Sequence, residues 1–188
     1  EEVTQTNFDD YVNQNILIPL SMNNTKTYMS TEDYGKNLTL GYSSLNRNNE
    51  REKVNFFNAD GIAAAAGFTS NVEDLAKFAR WQIDLVKSLE KNILSPETLK
   101  LMHEIHWDDK LTSVTRGLGF GVYNFDGENW VGHGGSCPGY RSQLYINTNK
   151  ELAYSVMINS SGTSPTKYID GIHEILSNVT LKKGEEIN

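Results

Sequence analysis

Residues 133–137, with the sequence HGGSC, bring together a histidine, two glycines, a serine and the only cysteine of the chain. A strand-like run precedes this segment and a longer one follows it. A glycine pair on a strand leaves no side chain between the backbone and an approaching substrate, which can then lie along the strand edge. Histidine is the side chain whose ordinary pKa is closest to neutral pH. We therefore interpret this segment as one edge of an active site.

Two other groups of residues could also carry chemistry. Cys137 could act as a nucleophile, but free cysteine is usually a small buried hydrophobe, so packing is favoured and a reactive thiol stays a hypothesis. His103 and His106 lack the spacing that places two imidazoles one helical turn apart, and no third ligand is evident. The sequence therefore predicts a solvated helix end at these histidines and no metal site.

Short motifs of the kind that carry a catalytic serine or tyrosine occur at four further places. Ser88 and Ser164 each begin a Ser-x-x-Lys pattern, and Tyr11 and Tyr145 each begin a Tyr-x-Asn pattern. Such patterns recur by chance in a chain rich in Ser, Lys and Asn. Ser88 lies at the end of a predicted helix, Ser164 is explained as a helix cap, Tyr11 faces into a helix and Tyr145 belongs to a strand. We therefore assign structural roles to all four.

Hydrophobic periodicity predicts the helices that position the glycine-rich segment. A first helix begins after Thr6 or Asn7 and ends before Pro19, and another runs from Pro96 to about His103. The longest helix is predicted to be capped by Ser70 and Glu73. Its apolar stripe comprises Val72, Leu75, Ala76, Ala79, Ile83, Val86 and Leu89. A last helix begins at Pro165 and presents Tyr168, Ile169, Ile172, Ile175 and Leu176 on one face.

Four strand-like runs lie between residue 117 and residue 160. They are LGFGVYNF, ENWVGHGG, YRSQLYINTNK and LAYSVMINSS, with hairpin turns expected at Asp126–Gly127 and at residues 147–150. The predicted fold class is α+β: an antiparallel sheet with helices covering it. At 188 residues, without an internal repeat or a break in composition, the chain is expected to be one domain.

Composition and charge argue against several classes of partner. The formal net charge is −7 and basic residues do not cluster, so nucleic acid is not an expected partner. No apolar run reaches the roughly 18 residues that span a bilayer. One cysteine cannot form an internal disulfide, which leaves the cellular compartment open.

Three segments, taken in this order, resemble one family: the serine hydrolases related to class C β-lactamases, penicillin-binding proteins, D-alanyl-D-alanine carboxypeptidases and their esterase relatives. FDDYVNQNILIPLSMNNT is similar to the family's helix and Pro-Leu-Gly-Met turn, and AAGFTSNVEDLAKF to its Ala-Gly-Gly-Leu and Asp-Leu-Ala segment. GHGGSCPGYRSQL is similar to its His-x-Gly or Lys-Thr-Gly strand. The resemblance implies a β-lactamase/transpeptidase-like fold, of which residues 1–188 would form the C-terminal part.

The resemblance also implies roles for individual residues. The backbone amide of Ser136 would form half of an oxyanion hole, and His133 would polarise or handle protons beside the nucleophile. Gly134, Gly135 and Cys137 would line the bound substrate. Because His133 replaces the lysine of true β-lactamases, recognition of a penicillin carboxylate is in doubt and an ester, amide or peptide substrate gains weight. The nucleophilic serine and its lysine would lie in an upstream portion that this chain does not contain.

The expected function is therefore that of an incomplete serine hydrolase, acting through an acyl-enzyme without a metal or cofactor when joined to the upstream portion. Its substrate would be a small molecule or a peptidoglycan peptide. The alternative is a non-catalytic module that binds a cell-wall peptide or assembles with itself. The missing half would leave an exposed apolar face on which the chain could form a homodimer. The family suggests an exported or cell-envelope protein of bacteria.

Overall fold

The computed structural model describes the fold of residues 1–87, 92–110, 114–125 and 127–185. The described helices are α1 (Phe8–Val12), α2 (Ala63–Ala66), α3 (Val72–Lys87), α4 (Pro96–His103) and α5 (Pro165–Glu185). A π-helical turn (Asn13–Leu17) continues α1, and a 3-10 turn (Asp60–Ile62) precedes α2. The strands are β1 (Trp107–Asp109), β2 (Val114–Arg116), β3 (Gly121–Phe125), β4 (Glu128–Cys137), β5 (Tyr140–Asn147) and β6 (Leu152–Ile158).

The six strands form one antiparallel sheet in which each strand pairs with the next along the chain. The α+β class and the four main strands were therefore predicted correctly. Strands β1 and β2 were not predicted, because each has only three residues and their sequences, WDD and VTR, show no apolar alternation. Asp126, assigned to the turn between β3 and β4, lies outside the described residues.

The two faces of the sheet are covered by different helices. Ala79 and Ile83 of α3 form one core with sheet residues Val122, Val131 and Ile146. Ile169 of α5 forms a second core on the other face with sheet residues Trp130, Tyr145 and Tyr154. Because neighbouring residues of a strand point to opposite faces, Trp130 and Val131 enter different cores. We call these two faces the α3 face and the α5 face.

The start of α3 differs from the prediction. Asn71, not Ser70, is the cap: its Oδ1 accepts a hydrogen bond from the backbone N–H of Asp74 at 2.9 Å. Ser70 Oγ lies 2.8 Å from Thr25 Oγ1 instead. Val72 and Ala76 of the predicted stripe are exposed, and Leu89 lies outside the described residues. The irregular segment before α2 packs on this end of α3. The first residues of α3 that are buried are therefore polar.

Asp74 anchors the irregular segment of residues 21–56 to α3. Its side chain is fully buried, and its Oδ2 accepts hydrogen bonds from the backbone N–H of Asn24 at 2.8 Å and from Thr25 Oγ1 at 2.9 Å. Lys77 Nζ lies 2.8 Å from Oδ1. Burial alone would raise the pKa of Asp74, but these partners outweigh it and hold that pKa below its ordinary value. The carboxylate therefore stays charged inside the fold.

Helix α5 buries only part of its predicted apolar face. Ile169 is fully buried against the sheet, whereas Tyr168, Ile172, Ile175 and Leu176 are between 42% and 64% exposed. Residues 168, 172, 175 and 176 recur at helical spacing, so they form one stripe. We call this the outer stripe of α5. Within the described residues, no helix is both long enough and apolar enough to span a bilayer.

Candidate functional site

The glycine-rich segment lies where strand β4 runs beyond its neighbour. Strand β3 pairs with β4 only as far as Gly132, whereas β5 pairs with it as far as Cys137. Residues 133–137 therefore carry a ladder partner on one side only, within the part of the chain that the structure describes. The other side is a five-residue strand edge without a ladder partner among the described residues, as a substrate bound along a strand requires.

Side chains along this edge alternate between the two faces of the sheet. Counting from Val131, His133 and Cys137 point to the α3 face. Counting from Trp130, Ser136 points to the α5 face. An edge-bound substrate would thus meet an imidazole on one side and a hydroxyl on the other.

Side chains on the neighbouring strand lie close to both glycines. Ser142 Oγ occupies the position that a Cβ of Gly135 would need, and Gln143 Oε1 would lie 2.7 Å from a Cβ at Gly134. Both contacts are closer than real Cβ atoms allow. Glycine at these positions therefore lets β5 side chains lie flat over β4 and leaves the edge unobstructed.

His133 is exposed, and its ring is oriented by a backbone contact. Nδ1 lies 2.7 Å from the carbonyl oxygen of Gly134. Because a carbonyl only accepts, the hydrogen of a neutral ring resides on Nδ1 and the lone pair on Nε2. The ring can therefore accept a proton at Nε2 from a group at the strand edge.

Cys137 is half-buried between β4 and α2. Its Sγ donates to the carbonyl oxygen of Ala66 at 3.5 Å. Burial raises the pKa of the Cys137 thiol above its ordinary value, which disfavours the reactive thiolate. These contacts agree with the packing role, and they place the side chain on the same face as His133.

Arg141 is a site residue that the sequence analysis did not identify. It lies on β5 directly opposite Ser136, and its Nη1 donates a hydrogen bond to Ser136 Oγ. Ser136 and Arg141 both belong to the segment GGSCPGYR. Only the strand register could show that they face each other, because the sequence separates them by a turn of unknown geometry.

The remaining candidates have separate places in the fold. The prediction of a solvated helix end is wrong for His103. Its Nε2 lies 2.9 Å from the buried Gln82 Oε1, and burial lowers its pKa to about 4. His106 Nε2 contacts the carbonyl oxygen of Leu101. Among the described residues, no three His, Cys, Asp or Glu side chains form a group that could bind a metal.

Three of the four short motifs begin at residues that the structure describes. Tyr145 is buried in β5, as predicted, and Ser164 directly precedes α5. Tyr11 was expected to face into its helix, but 41% of its surface is exposed because Val12 and Leu17 supply the buried side instead. Ser88 and its Lys91 lie outside the described residues.

Residues 1–176 match the family model described as Beta-lactamase, so the chain belongs to the beta-lactamase family. This confirms the resemblance that the three sequence segments indicated. No curated protein matches the chain.

Several solved structures share this fold. The chain is similar to a D-amino acid amidase from Ochrobactrum anthropi SV3 complexed with L-phenylalanine amide, with a TM-score of 0.77 and 19% identity. It is also similar to a D-stereospecific amidohydrolase from Streptomyces sp. (TM-score 0.67, 23% identity) and to a beta-lactamase/D-alanine carboxypeptidase from Pseudomonas syringae (TM-score 0.64, 18% identity). These matches cover 95%, 85% and 86% of the chain but 53%, 46% and 51% of the respective relatives. The chain thus spans about half the length of the structures that it matches.

Proposed function

We propose that the chain is the C-terminal part of a serine hydrolase that cleaves an amide, peptide or ester through an acyl-enzyme. An upstream portion of the same protein would contribute the serine that attacks the acyl carbon, together with its proton-handling lysine. His133 would accept or polarise a proton at Nε2, and the backbone amide of Ser136 would stabilise the tetrahedral oxyanion. Water would then hydrolyse the acyl-enzyme.

The observation that carries this proposal is the open edge of β4. A substrate lying along residues 133–137 would extend the sheet by one strand, and its acyl group would lie beside an imidazole oriented by Gly134. The membership of the beta-lactamase family supports an acyl-transfer role for this edge. The related amidase, amidohydrolase and carboxypeptidase structures support amides and peptides as the substrate class.

The experiment is a hydrolysis assay on a panel of three substrates: a D-amino acid amide, a simple aryl ester and a β-lactam. It compares the polypeptide that includes the upstream portion with residues 1–188 alone. We expect turnover of at least one substrate by the longer polypeptide and none by the chain alone. His133→Gln, which cannot take up a proton, should lower that turnover by about 10²-fold or more.

A matched control is His106→Gln, at an exposed histidine away from the strand edge. It should leave turnover unchanged. If the longer polypeptide hydrolyses nothing on the panel but still binds a cell-wall peptide, the chain belongs to a non-catalytic binding module and the proposed hydrolase is wrong. If His133→Gln and His106→Gln behave alike, His133 has no part in the chemistry.

A further inference from the structure

A cavity of about 270 Å³ lies between helix α5 and the α5 face of the sheet. It is large enough for a small organic molecule and is partly open to solvent. Phe125, which lines it, pairs with Glu128 at the start of β4, so this wall lies about 17 Å along the strand from His133. The cavity is therefore separate from the strand edge to which the proposed function assigns the chemistry.

Three aromatic rings line this cavity: Phe125 and Tyr154 from the sheet and His173 from α5. The centroid of the His173 ring lies 5.8 Å from that of Tyr154 and 6.3 Å from that of Phe125. The Tyr154 hydroxyl lies 2.9 Å from His173 Nδ1, which fixes the two rings relative to each other. Trp130 stacks on Tyr154 at 5.1 Å and supports it from within the core. Rings held around one small volume attract a cation, because the faces of the π-systems are negative.

Two carboxylates stand at the entrance of the cavity. Asp170 and Glu174 both line it and are both exposed. They are four residues apart on α5, a spacing at which like charges face each other and destabilise a helix. Among the described residues, no lysine or arginine forms an ion pair with either of them. A cation bound in the cavity would offset this repulsion.

The combination of walls and entrance selects among classes of ligand. The two carboxylates would repel an anion, and a purely apolar molecule would make no use of them. An alkylammonium group has apolar carbons that can pack on Ile169 and the rings, and it has a positive charge for the π faces and the carboxylates.

We propose that this cavity binds the alkylammonium group of a small molecule, with Phe125, Tyr154 and His173 around the cation and Asp170 and Glu174 at its entrance. This site goes beyond the proposed function and does not depend on it, because none of these residues belongs to the edge of residues 133–137.

The test compares choline with 3,3-dimethylbutan-1-ol, which has the same shape but a carbon in place of the charged nitrogen. An NMR titration of the native polypeptide measures the dissociation constant of each ligand. We expect choline to bind about fivefold or more tightly than the alcohol, as contact of a cation with aromatic rings would cause. The methyl protons of bound choline should also shift upfield, because they would lie over the rings.

Variants separate the contributions of the carboxylates and of the rings. The double change Asp170→Asn, Glu174→Gln is made at exposed positions and should bring the two ligands to within about twofold of each other. Phe125→Leu keeps an apolar side chain and removes a ring, so it should weaken choline by about threefold or more and the alcohol by less. The matched control is Glu73→Gln, at an exposed carboxylate of α3 on the other side of the sheet, and it should leave the preference intact.

The proposal is overturned if the wild type binds neither ligand, if it binds both equally, or if the preference for choline survives the double change. A preference that needs the two carboxylates but is unchanged in Phe125→Leu would place the cation on the helix surface and would also overturn the cavity as its site. Turnover of the substrate panel by the double variant should equal that of the wild type. Failure of this site and failure of the proposed hydrolase are therefore distinguishable.

Discussion

At the scale of single residues, the candidate site consists of the side chains that lie along the open edge of β4. His133 is exposed with Nε2 as its proton acceptor, and Cys137 is half-buried with a thiol pKa above its ordinary value. The sequence could single out these residues as candidates because glycines, histidine and serine stand together in it. It could not predict Arg141, because the contact with Ser136 depends on the register between two strands.

The backbone amide of Ser136 can be tested separately from its side chain. Ser136→Pro removes the N–H, and it should lower the acylation rate of a neutral ester by about 10²- to 10³-fold. Ser136→Ala keeps the N–H and should stay within a few fold of the wild type. The measurement is single-turnover acylation, with thermal unfolding to show that both variants are folded. Equal rates for the two variants would remove Ser136 from the oxyanion hole.

At the scale of elements, the main strands and α4 follow the sequence pattern, whereas the start of α3 and the far side of α5 do not. Alternation along a strand and a Ser-Pro helix start are local signals, and the chain obeys them. Asp74 is bound by residues 24 and 25, and Ser70 contacts residue 25, in each case about fifty positions earlier. Periodicity within a helix contains no information about such a distant partner.

Two glycines of β4 should respond differently to the same substitution. A Cβ at Gly132 would overlap the backbone carbonyl of Leu144, which cannot move without shifting β5, so Gly132→Ala should cost about 3 kcal/mol. A Cβ at Gly135 would meet only the hydroxyl of Ser142, which can rotate away, so Gly135→Ala should cost less than about 1 kcal/mol. Urea unfolding measures both. Equal costs would show that the cross-strand contacts do not explain these glycines.

The anchor at Asp74 should make stability depend on pH. Its pKa is lowered in the folded protein, so its contribution is complete above the unfolded value of about 3.9 and is lost as pH falls through the folded value. Asp74→Asn should cost about 2 kcal/mol at pH 7, because buried donors lose a charged acceptor. Below about pH 4 the free energies of unfolding of wild type and variant should converge.

Asp84→Asn is the matched control for this experiment. Asp84 is exposed and pairs with Arg80 at 2.7 Å one turn away on the same helix. The change should cost less than about 0.5 kcal/mol. Urea unfolding between pH 3 and pH 7 measures both variants, and a constant difference between Asp74→Asn and wild type would contradict the ionised anchor.

At the scale of the whole molecule, the described residues form one six-stranded antiparallel sheet with helices on both faces, and the chain spans about half the length of its structural relatives. The outer stripe of α5 is one of the surfaces on which apolar side chains stay exposed. The alternating runs in the sequence could predict an antiparallel sheet covered by helices. They could not predict which helical face stays exposed, since apolar residues surround much of α5.

The outer stripe predicts that residues 1–188 alone self-associate. Ile172 and Ile175 are 42% and 64% exposed, and a paired Ile172→Glu, Ile175→Glu change should shift the chain toward monomer and reduce binding of a hydrophobic dye. Sedimentation velocity measures the first and dye fluorescence the second. A Leu45→Glu change, at an exposed apolar residue outside the stripe, is the control and should alter neither. A wild-type chain that is monomeric and binds no dye would contradict the prediction.

The central claim is that this chain supplies one edge of an acyl-enzyme site whose nucleophile lies outside residues 1–188. The most direct test is the intact mass of the native polypeptide before and after treatment with a fluorophosphonate or a labelled penicillin, followed by peptide mapping of the adduct. The account predicts one adduct, on a serine upstream of residue 1, that is lost on prior denaturation. An adduct on Ser136, Ser164 or Cys137, or no adduct with either probe, would contradict it.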